Sequence, residues 1–499
     1  MNVNPITRLD YPDPDVIRVE DTYYMVSTTM HFMPGCEILQ SFDLVHWEHV
    51  TYVYETLDHT DAQQLKSGQN IYGQGMWAAS LRYHEGRFCI CFVANDTRKT
   101  YLYTSEKIDG PWKKQLIEGF YHDGSLLFDE DGRNYIVYGN DEIWITELNE
   151  DLTAPKKDGL HRLLVSDHKN PKLGYEGSHI QKINGYYYIF LVHSLRDRWM
   201  RTEACFYSDS LEGEFTGGDV VCDDRGYCGQ GVAQGGIVDT PDGKWYAMLF
   251  QDSGAVGRIP ILLPVTWKDH FPFFGQNGHV PEEIEVPSTS PGYIYQPLAG
   301  SDDFCNGLLP RWQFNHDPDP RYYHLDALQG TYTITTREVC TELTQAVNTL
   351  TQRMSYPSCA AEVTVDASAL KEGDVAGLCA LQSCYAAVGI TKHHGKYEVL
   401  MLDKKEDGIL DMTEGTVVES HQMDFRLEAD FCNMKDEARC YYRVNKGDWL
   451  PIGTVHKLYF KLDHFTGCRF GLFCYAAEET GYNPSHALRR HWFGLFPVR

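Results

Sequence analysis

Three carboxylates in the first half of the chain stand at matching places in a repeated pattern. Asp13 opens DPDVIRVEDTYY, Asp123 opens DGSLLFDEDGRN and Glu176 opens EGSHIQKINGYY. Two further stretches share the pattern with uncharged heads, Trp77 to Phe88 and Gln234 to Trp245. Equivalent units would aim all five heads at one place. Packing alone does not explain three acids facing one another, because like charges at short range repel. Hydrolysis of a glycosidic bond does explain them. It needs one carboxylic acid to protonate the departing oxygen and one carboxylate to activate water. A third acid nearby keeps the donor protonated by repulsion. Glu has the longer reach, so Glu176 is the expected donor. Asp13, stiffened between Pro12 and Pro14, is the expected base. Asp123 is the expected tuning acid.

Other residues suit the walls of a sugar pocket. Trp77, in GMWAAS, offers a flat face for a sugar ring, and Phe32, in HFMPG, lies in a loop that can form an apolar wall. Arg258 is a lone cation in AVGRIPILLPVTW and needs a carboxylate or a substrate hydroxyl as partner. Gln234 cannot do acid–base work but can hydrogen-bond a substrate or a channel water. His393-His394, beside Gly395, reads as an exposed turn.

The elements that must carry these residues are short strands. Asx-Gly and similar pairs between alternating runs mark hairpins at Glu85-Gly86, Asp131-Gly132, Asn184-Gly185 and Asp242-Gly243, with Glu20-Asp21 in the first unit. The stretches Ser41 to Trp47, Thr104 to Trp112 and Ser208 to Phe215 recur as a second hairpin in the same units. Four strands per unit at this spacing are the pattern of propeller blades, whose innermost strands line a central channel. The fold class is therefore all-β, with a five-bladed β-propeller over 1–282. Proline, serine and glycine cluster in PEEIEVPSTSPGYIYQPLAG, which marks a linker over 283–300. Alternating runs such as AAEVTVDA and KLYFKLD resume beyond it and predict a β-sandwich over 301–499.

Composition narrows the function further. A net charge of −26 with no basic run excludes nucleic acid as a partner. No apolar run approaches the ~18 residues of a membrane span. The 15 cysteines are odd in number, form no CxxC pair and often sit inside apolar strand patterns, as in FCICF. With a polar start over Met1 to Asp10, they predict free buried thiols in a reducing, cytoplasmic compartment. Aromatic residues reach 13%, a high share that suits sugar binding as well as β-rich cores.

The ordered motifs NPITRLDYPDPDVIRVEDTYYMVSTT, GMWAASLRY, DGSLLFDEDG, YEGSHIQKINGYYY and GRIPILLPVTW resemble glycoside hydrolase family 43. The second half, with RWQFNHDPDPRYYHL and NTLTQRMSYPSCAAEVTVD, resembles the C-terminal concanavalin-like jelly roll of that family's two-domain β-xylosidases and α-L-arabinofuranosidases. The resemblance implies an inverting mechanism with Asp13 as base, Asp123 as pKa-modulating acid and Glu176 as general acid. It also implies a substrate-contacting role for Arg258, pocket walls at Phe32 and Trp77, and a sandwich aromatic, Phe465, that closes the pocket. The family often places His at the head of its fifth blade, where it holds calcium or water in the channel. Here Gln234 stands there, which makes a channel calcium doubtful and leaves no cofactor required.

The expected function is exo-acting, inverting release of a terminal pentose, β-D-xylosyl or α-L-arabinofuranosyl, from hemicellulose oligosaccharides. The partner is a small oligosaccharide, with a homo-oligomer possible. The competing expectation is a non-catalytic carbohydrate-binding propeller, which the intact trio of acids speaks against.

Overall fold

Five antiparallel sheets of four strands each follow one another over residues 15–274. The structure, a computed structural model, describes residues 2–413, 415–477 and 493–496; residues 414, 478–492 and 497–499 of the expected sandwich lie outside the described residues. The innermost strands are Asp15–Val19, Met76–His84, Ser125–Phe128, Glu176–Ile183 and Val232–Asp239. Each neighbours the next in ring order, and the fifth meets the first, so the sheets are blades 1 to 5 of a propeller. The sequence turns form the inner hairpins, with Glu20, Glu85 and Asn184 in the left-handed conformation that such tight turns demand. Ser41 to Trp47, Thr104 to Trp112 and Ser208 to Phe215 bridge the third and fourth strands of blades 1, 2 and 4.

Strand register changes one reading of the sequence. Asp15 pairs with Val26, Ser80 with Cys91, Ser125 with Val137, His179 with Phe190 and Gly236 with Met248. These five innermost residues are therefore equivalent. Two places before each stands a residue with positive φ: Asp13 (52°), Ala78 (26°), Asp123 (49°), Gly177 (66°) and Gln234 (62°). So Trp77 and Glu176 do not match Asp13 and Asp123, as equal spacing suggested. They stand one place earlier, in the same position as His122. For Asp123 and Gln234 the cause is turn length: blades 3 and 5 cross their inner turns with one more residue than the others, which slides a count made along the chain. Blade 1 has the same turn length as blades 2 and 4, and its stretch starts one ladder position later than theirs.

The blades are tied to one another at this level. Leu81 N donates to Asp15 Oδ2 at 2.7 Å, Leu126 N to Ser80 Oγ at 3.1 Å and Ile180 N to Ser125 Oγ at 3.0 Å. The N-terminus closes the ring: Asn2–Val3 pairs with Glu283–Ile284, and Arg18 of blade 1 forms an ion pair with Asp239 of blade 5. The rest of the proline-rich stretch lies along blade 1, where Thr289 N donates to Phe42 O at 2.8 Å and Gln296 N to Glu48 Oε2 at 2.9 Å.

Beyond it, a nine-stranded and a five-stranded sheet pack face to face. Every second residue of Ser358–Asp366 and of Gln422–Asp430 points inward, placing Val363, Val365, Phe425 and Leu427 against Ala376, Leu378, Val388 and Phe470. The larger sheet takes in a strand of the propeller, Phe32–Met33, paired with Gln313–Asn315. The interface also buries an ion pair, Arg353 Nη1 to Glu37 Oε2 at 2.7 Å. Burial raises the Glu37 carboxyl, but Arg353 and His49 outweigh it and hold the group at about 2, below its ordinary 4.5. Because the folded value is depressed, this stability is present above the ordinary value and lost as pH falls towards about 2. Arg353→Met should cost about 3–5 kcal/mol at neutral pH, because it strands a buried carboxylate. Urea unfolding measures it, and Glu37→Gln in the same chain should recover most of the loss. A cost below ~1 kcal/mol would show that the pair does not hold the interface.

Candidate active site

Asp13 is buried at the mouth of the channel. Its Oδ1 accepts from Arg258 Nη1 at 2.7 Å and its Oδ2 from Thr28 Oγ1 at 2.6 Å. Thr28 Oγ1 in turn accepts from Ala78 N at 2.8 Å, which links blade 1 to blade 2. Arg258 also donates from Nε to Asp252 Oδ1 at 3.2 Å, and Asp252 pairs with the buried Arg201. The result is an alternating row of charge, Asp13, Arg258, Asp252 and Arg201. The lone cation of the sequence thus has two carboxylate partners, and the nearer is Asp13.

The other two acids meet a residue that sequence reasoning did not single out. His122 Nε2 lies 3.7 Å from Asp123 Oδ2 and 3.9 Å from Glu176 Oε2. Adjacent residues of an ordinary strand point to opposite faces. Here the positive φ of Asp123 turns the chain, and His122 and Asp123 both face the mouth. Asp123 Oδ2 also accepts from Gly177 N at 3.0 Å, and Glu176 Oε2 accepts from Asn140 Nδ2 at 2.6 Å. The facing carboxylate of Asp123 raises the imidazole of His122 to about 9. Burial, with the charges of Glu176 and Asp13, lifts Asp123 to about 6 against the pull of His122. Burial also pushes Glu176 up, but His122, then Arg201 and Arg258, outweigh it and leave this carboxyl below its usual range. Repulsion among the acids therefore raises the tuning residue. Glu176 was expected to be the raised group, and the imidazolium beside it reverses the sign.

The sandwich supplies one wall. The Phe465 ring lies 3.8 Å from the Arg258 guanidinium and 5.1 Å from the Trp77 ring, which is 6.3 Å from His122. Its loop is pinned by the buried Asp10, whose Oδ2 accepts from Gly467 N at 2.8 Å while its Oδ1 accepts from Arg258 N at 2.8 Å. Gly467 leaves no room for a side chain: a Cβ there would stand 2.1 Å from Val256 O.

Asp13, Arg258, Phe465, Trp77, His122, Asp123 and Glu176 are thus joined by contacts drawn from both domains. Gln234 belongs to the same mouth: its side chain packs against Gly177, and its N donates to Glu203 Oε2 at 2.6 Å. Phe32 is buried in the domain interface, its ring 3.4 Å from the Arg469 guanidinium and beside His31. Below the mouth, Asp15 accepts from Arg82 Nη1 at 2.7 Å and from Leu81 N, and lies 3.1 Å from His179 Nδ1. Calcium takes six to eight oxygen ligands. A carboxylate already matched by a guanidinium and an imidazole does not fit it.

Residues 3–272 match glycosyl hydrolases family 43, and residues 301–486 match the beta xylosidase C-terminal concanavalin A-like domain. The chain belongs to glycosyl hydrolase family 43. Membership makes it a glycoside hydrolase with a small carbohydrate substrate. A beta-xylosidase of Formosa agariphila is 26% identical over 96% of this chain and 88% of its own. A non-reducing end alpha-L-arabinofuranosidase of Bacteroides ovatus is 24% identical over 82% of this chain and 79% of its own. Among solved structures, a bifunctional GH43-CE protein of Bacteroides eggerthii superposes with a TM-score of 0.92 at 40% identity. That match covers 100% of this chain and 64% of the other, so the chain spans about two thirds of that relative's length.

Gly177 tests how tightly the family 43 site is held. A Cβ there would stand 2.7 Å from Gln234 Cγ, on a backbone at φ 66°. Gly177→Ala should lower kcat/KM on a disaccharide, whose leaving group needs the proton, about tenfold or more, by moving Glu176 and the Asp123 acceptor. Adding Gln234→Ala should restore part of it, because the clash is relieved while backbone strain of ~1 kcal/mol remains. An unchanged rate in the single variant would refute this tight fit.

Proposed function

We propose that the protein is an exo-acting, inverting glycosidase that releases terminal β-D-xylosyl or α-L-arabinofuranosyl groups from hemicellulose oligosaccharides. The observation that carries this reading is the division of the mouth into two unlike carboxylate sites. Asp13 accepts from Arg258 and Thr28, which fix both of its oxygens in place for a general base. Asp123, Glu176 and His122 form a separate group, with a carboxylate oxygen or imidazole nitrogen of each within 4.8 Å of the others, and the raised imidazole and Asp123 carboxyl give this group a proton to transfer. Inversion asks for a gap of ~6.5–9.5 Å between base and donor, wide enough for one water. Asp13 and Glu176 come from blades 1 and 4 and lie in different groups, which suits that gap.

In the proposed cycle the sugar binds over Trp77 and under Phe465. Asp13 takes a proton from water as its oxygen bonds to the anomeric carbon. The glycosidic bond breaks with its electron pair on the departing oxygen, and Glu176 protonates that oxygen. Asp123 fixes Gly177 and, with it, the donor that precedes it. The wall contributed by the sandwich favours chain ends over chain interiors. The relatives' names support pentoses, and the two names together support both sugars. The 15 free thiols support a reducing, cytoplasmic setting.

Incubation with aryl xyloside and aryl arabinofuranoside, followed by NMR of the released sugar, gives specificity and stereochemistry together. The expected first product has inverted anomeric configuration, and retention would overturn the mechanism. Asp13→Ala should lose about 10³-fold or more in kcat on every substrate. Glu176→Ala should lose as much on a disaccharide but far less on an aryl glycoside whose leaving group needs no proton. A Glu176→Ala variant that keeps its disaccharide rate would assign the donor elsewhere.

A further inference from the structure

The donor meets one difficulty. A general acid must carry a proton when substrate is bound, yet Glu176 is flanked by an imidazole and lies within reach of two guanidinium charges. His122 answers the difficulty by its place. It occupies the position that carries Trp77 in blade 2 and Glu176 in blade 4, so it projects into the mouth and not into the blade. Its backbone is fixed by Gly139 N, which donates to His122 O at 3.0 Å, one residue before the Asn140 that holds Glu176. Its Nε2 is nearly equidistant from Asp123 Oδ2 and Glu176 Oε2. Its side chain keeps 23% of its surface in contact with solvent, enough to exchange a proton between turnovers.

We propose that His122 is the proton reservoir of the donor: a positioning residue that hands its Nε2 proton to Glu176 as the sugar enters and takes a new one from solvent after the product leaves. The inference rests on the assignment of Glu176 as donor. The steps balance. Imidazolium and carboxylate become imidazole and carboxylic acid when the sugar displaces water, because a drier pocket favours the uncharged pair. Glu176 then gives that proton to the departing oxygen, while Asp13 receives one from the attacking water. Asp13 loses its proton to solvent and the imidazole gains one, so each cycle consumes one water and no net proton. The charged groups facing His122 are Asp123 from its own blade, Glu176 from blade 4 and Asp13 from blade 1; blade 2 presents the uncharged ring of Trp77.

The rise of the imidazole to about 9 sets the measurable consequence. The folded value lies above the ordinary 6.5, so the proton is held through neutral pH and lost as pH rises through about 9. The alkaline limb of kcat/KM should therefore belong to His122. In His122→Asn the limb should move at least one pH unit towards acid on a disaccharide. At pH 8 kcat/KM on that substrate should fall about tenfold or more, with a change under about threefold at pH 5. An aryl glycoside with a strongly acidic leaving group should be spared at both pH values. A uniform fall with an unmoved limb would make His122 merely structural and overturn the proposal.

NMR titration of the histidine side chains in the unsubstituted protein, with the His122 signal identified by its loss in His122→Asn, is an independent readout. An imidazole that titrates at or below the ordinary 6.5 would overturn the proposal whatever the rates of the variant. Failure of the underlying donor assignment looks different: Glu176→Ala would keep its disaccharide rate whatever His122 does.

Discussion

The mouth depends on a backbone conformation before it depends on any acid. At the head of each innermost strand one residue has positive φ, and in four of the five blades that residue is not glycine: Asp13, Ala78, Asp123 and Gln234. Such residues cost of order 1–3 kcal/mol each and persist only where their surroundings over-determine them. Here the neighbouring blade does so. Ala78 N donates to Thr28, Gly177 N to Asp123 and Gln234 N to Glu203, each an acceptor from the preceding blade. The acids are thus structural parts as well as chemical ones. Asp123 holds the strand head that carries Glu176, and Asp13, through Thr28, holds the one that carries Trp77. Removing either disturbs a second catalytic-site residue along with its own charge.

The second domain enters the chemistry through one buried carboxylate. Asp10 accepts from Arg258 N on the propeller and from Gly467 N on the sandwich, so a single side chain sets both sides of the Arg258–Phe465 contact. Burial drives Asp10 up to about 6, against the pull of those two N–H groups. The aromatic wall cannot shift without loosening the cation that holds the proposed base. This coupling gives a physical reason for a sandwich beside the propeller mouth.

The blades, the hairpin turns and four of the charged groups, Asp13, Asp123, Glu176 and Arg258, were legible in the sequence because each leaves a local mark. Turn pairs such as Asn184-Gly185 and the alternation of apolar residues depend only on near neighbours, and acids near the heads of similar stretches stand out. The exact register was not legible. It depends on which residue of a turn is crossed by the ladder, and one extra residue in blades 3 and 5 is invisible in a count. That slip concealed His122, which reads as an ordinary turn histidine until it is aligned with Trp77 and Glu176. Asp15 was hidden by Asp13: both lie in YPDPDV, and only the ladder shows that the second faces the channel, against Arg82. Phe465 carried no periodic signal at all, because its role is set by a domain more than 200 residues away along the chain. The resemblance alone pointed to it.

Charge balance connects these parts. The two linked groups at the mouth contain four carboxylates, Asp13, Asp123, Glu176 and Asp252, and three cations, Arg201, Arg258 and a protonated His122. A pocket largely out of water tolerates charge only when it is matched. The mismatch of one is met if a single carboxyl binds one further proton, which is what the rise of Asp123 expresses. With an apolar residue in place of His122, two cations would face four acids. Further protons or a looser, wetter pocket would follow, and the base would compete with the donor for them. The imidazolium offsets part of that charge and keeps a transferable proton across the mouth from Asp13 and its guanidinium, and in this way one concave site holds an acid and a base side by side.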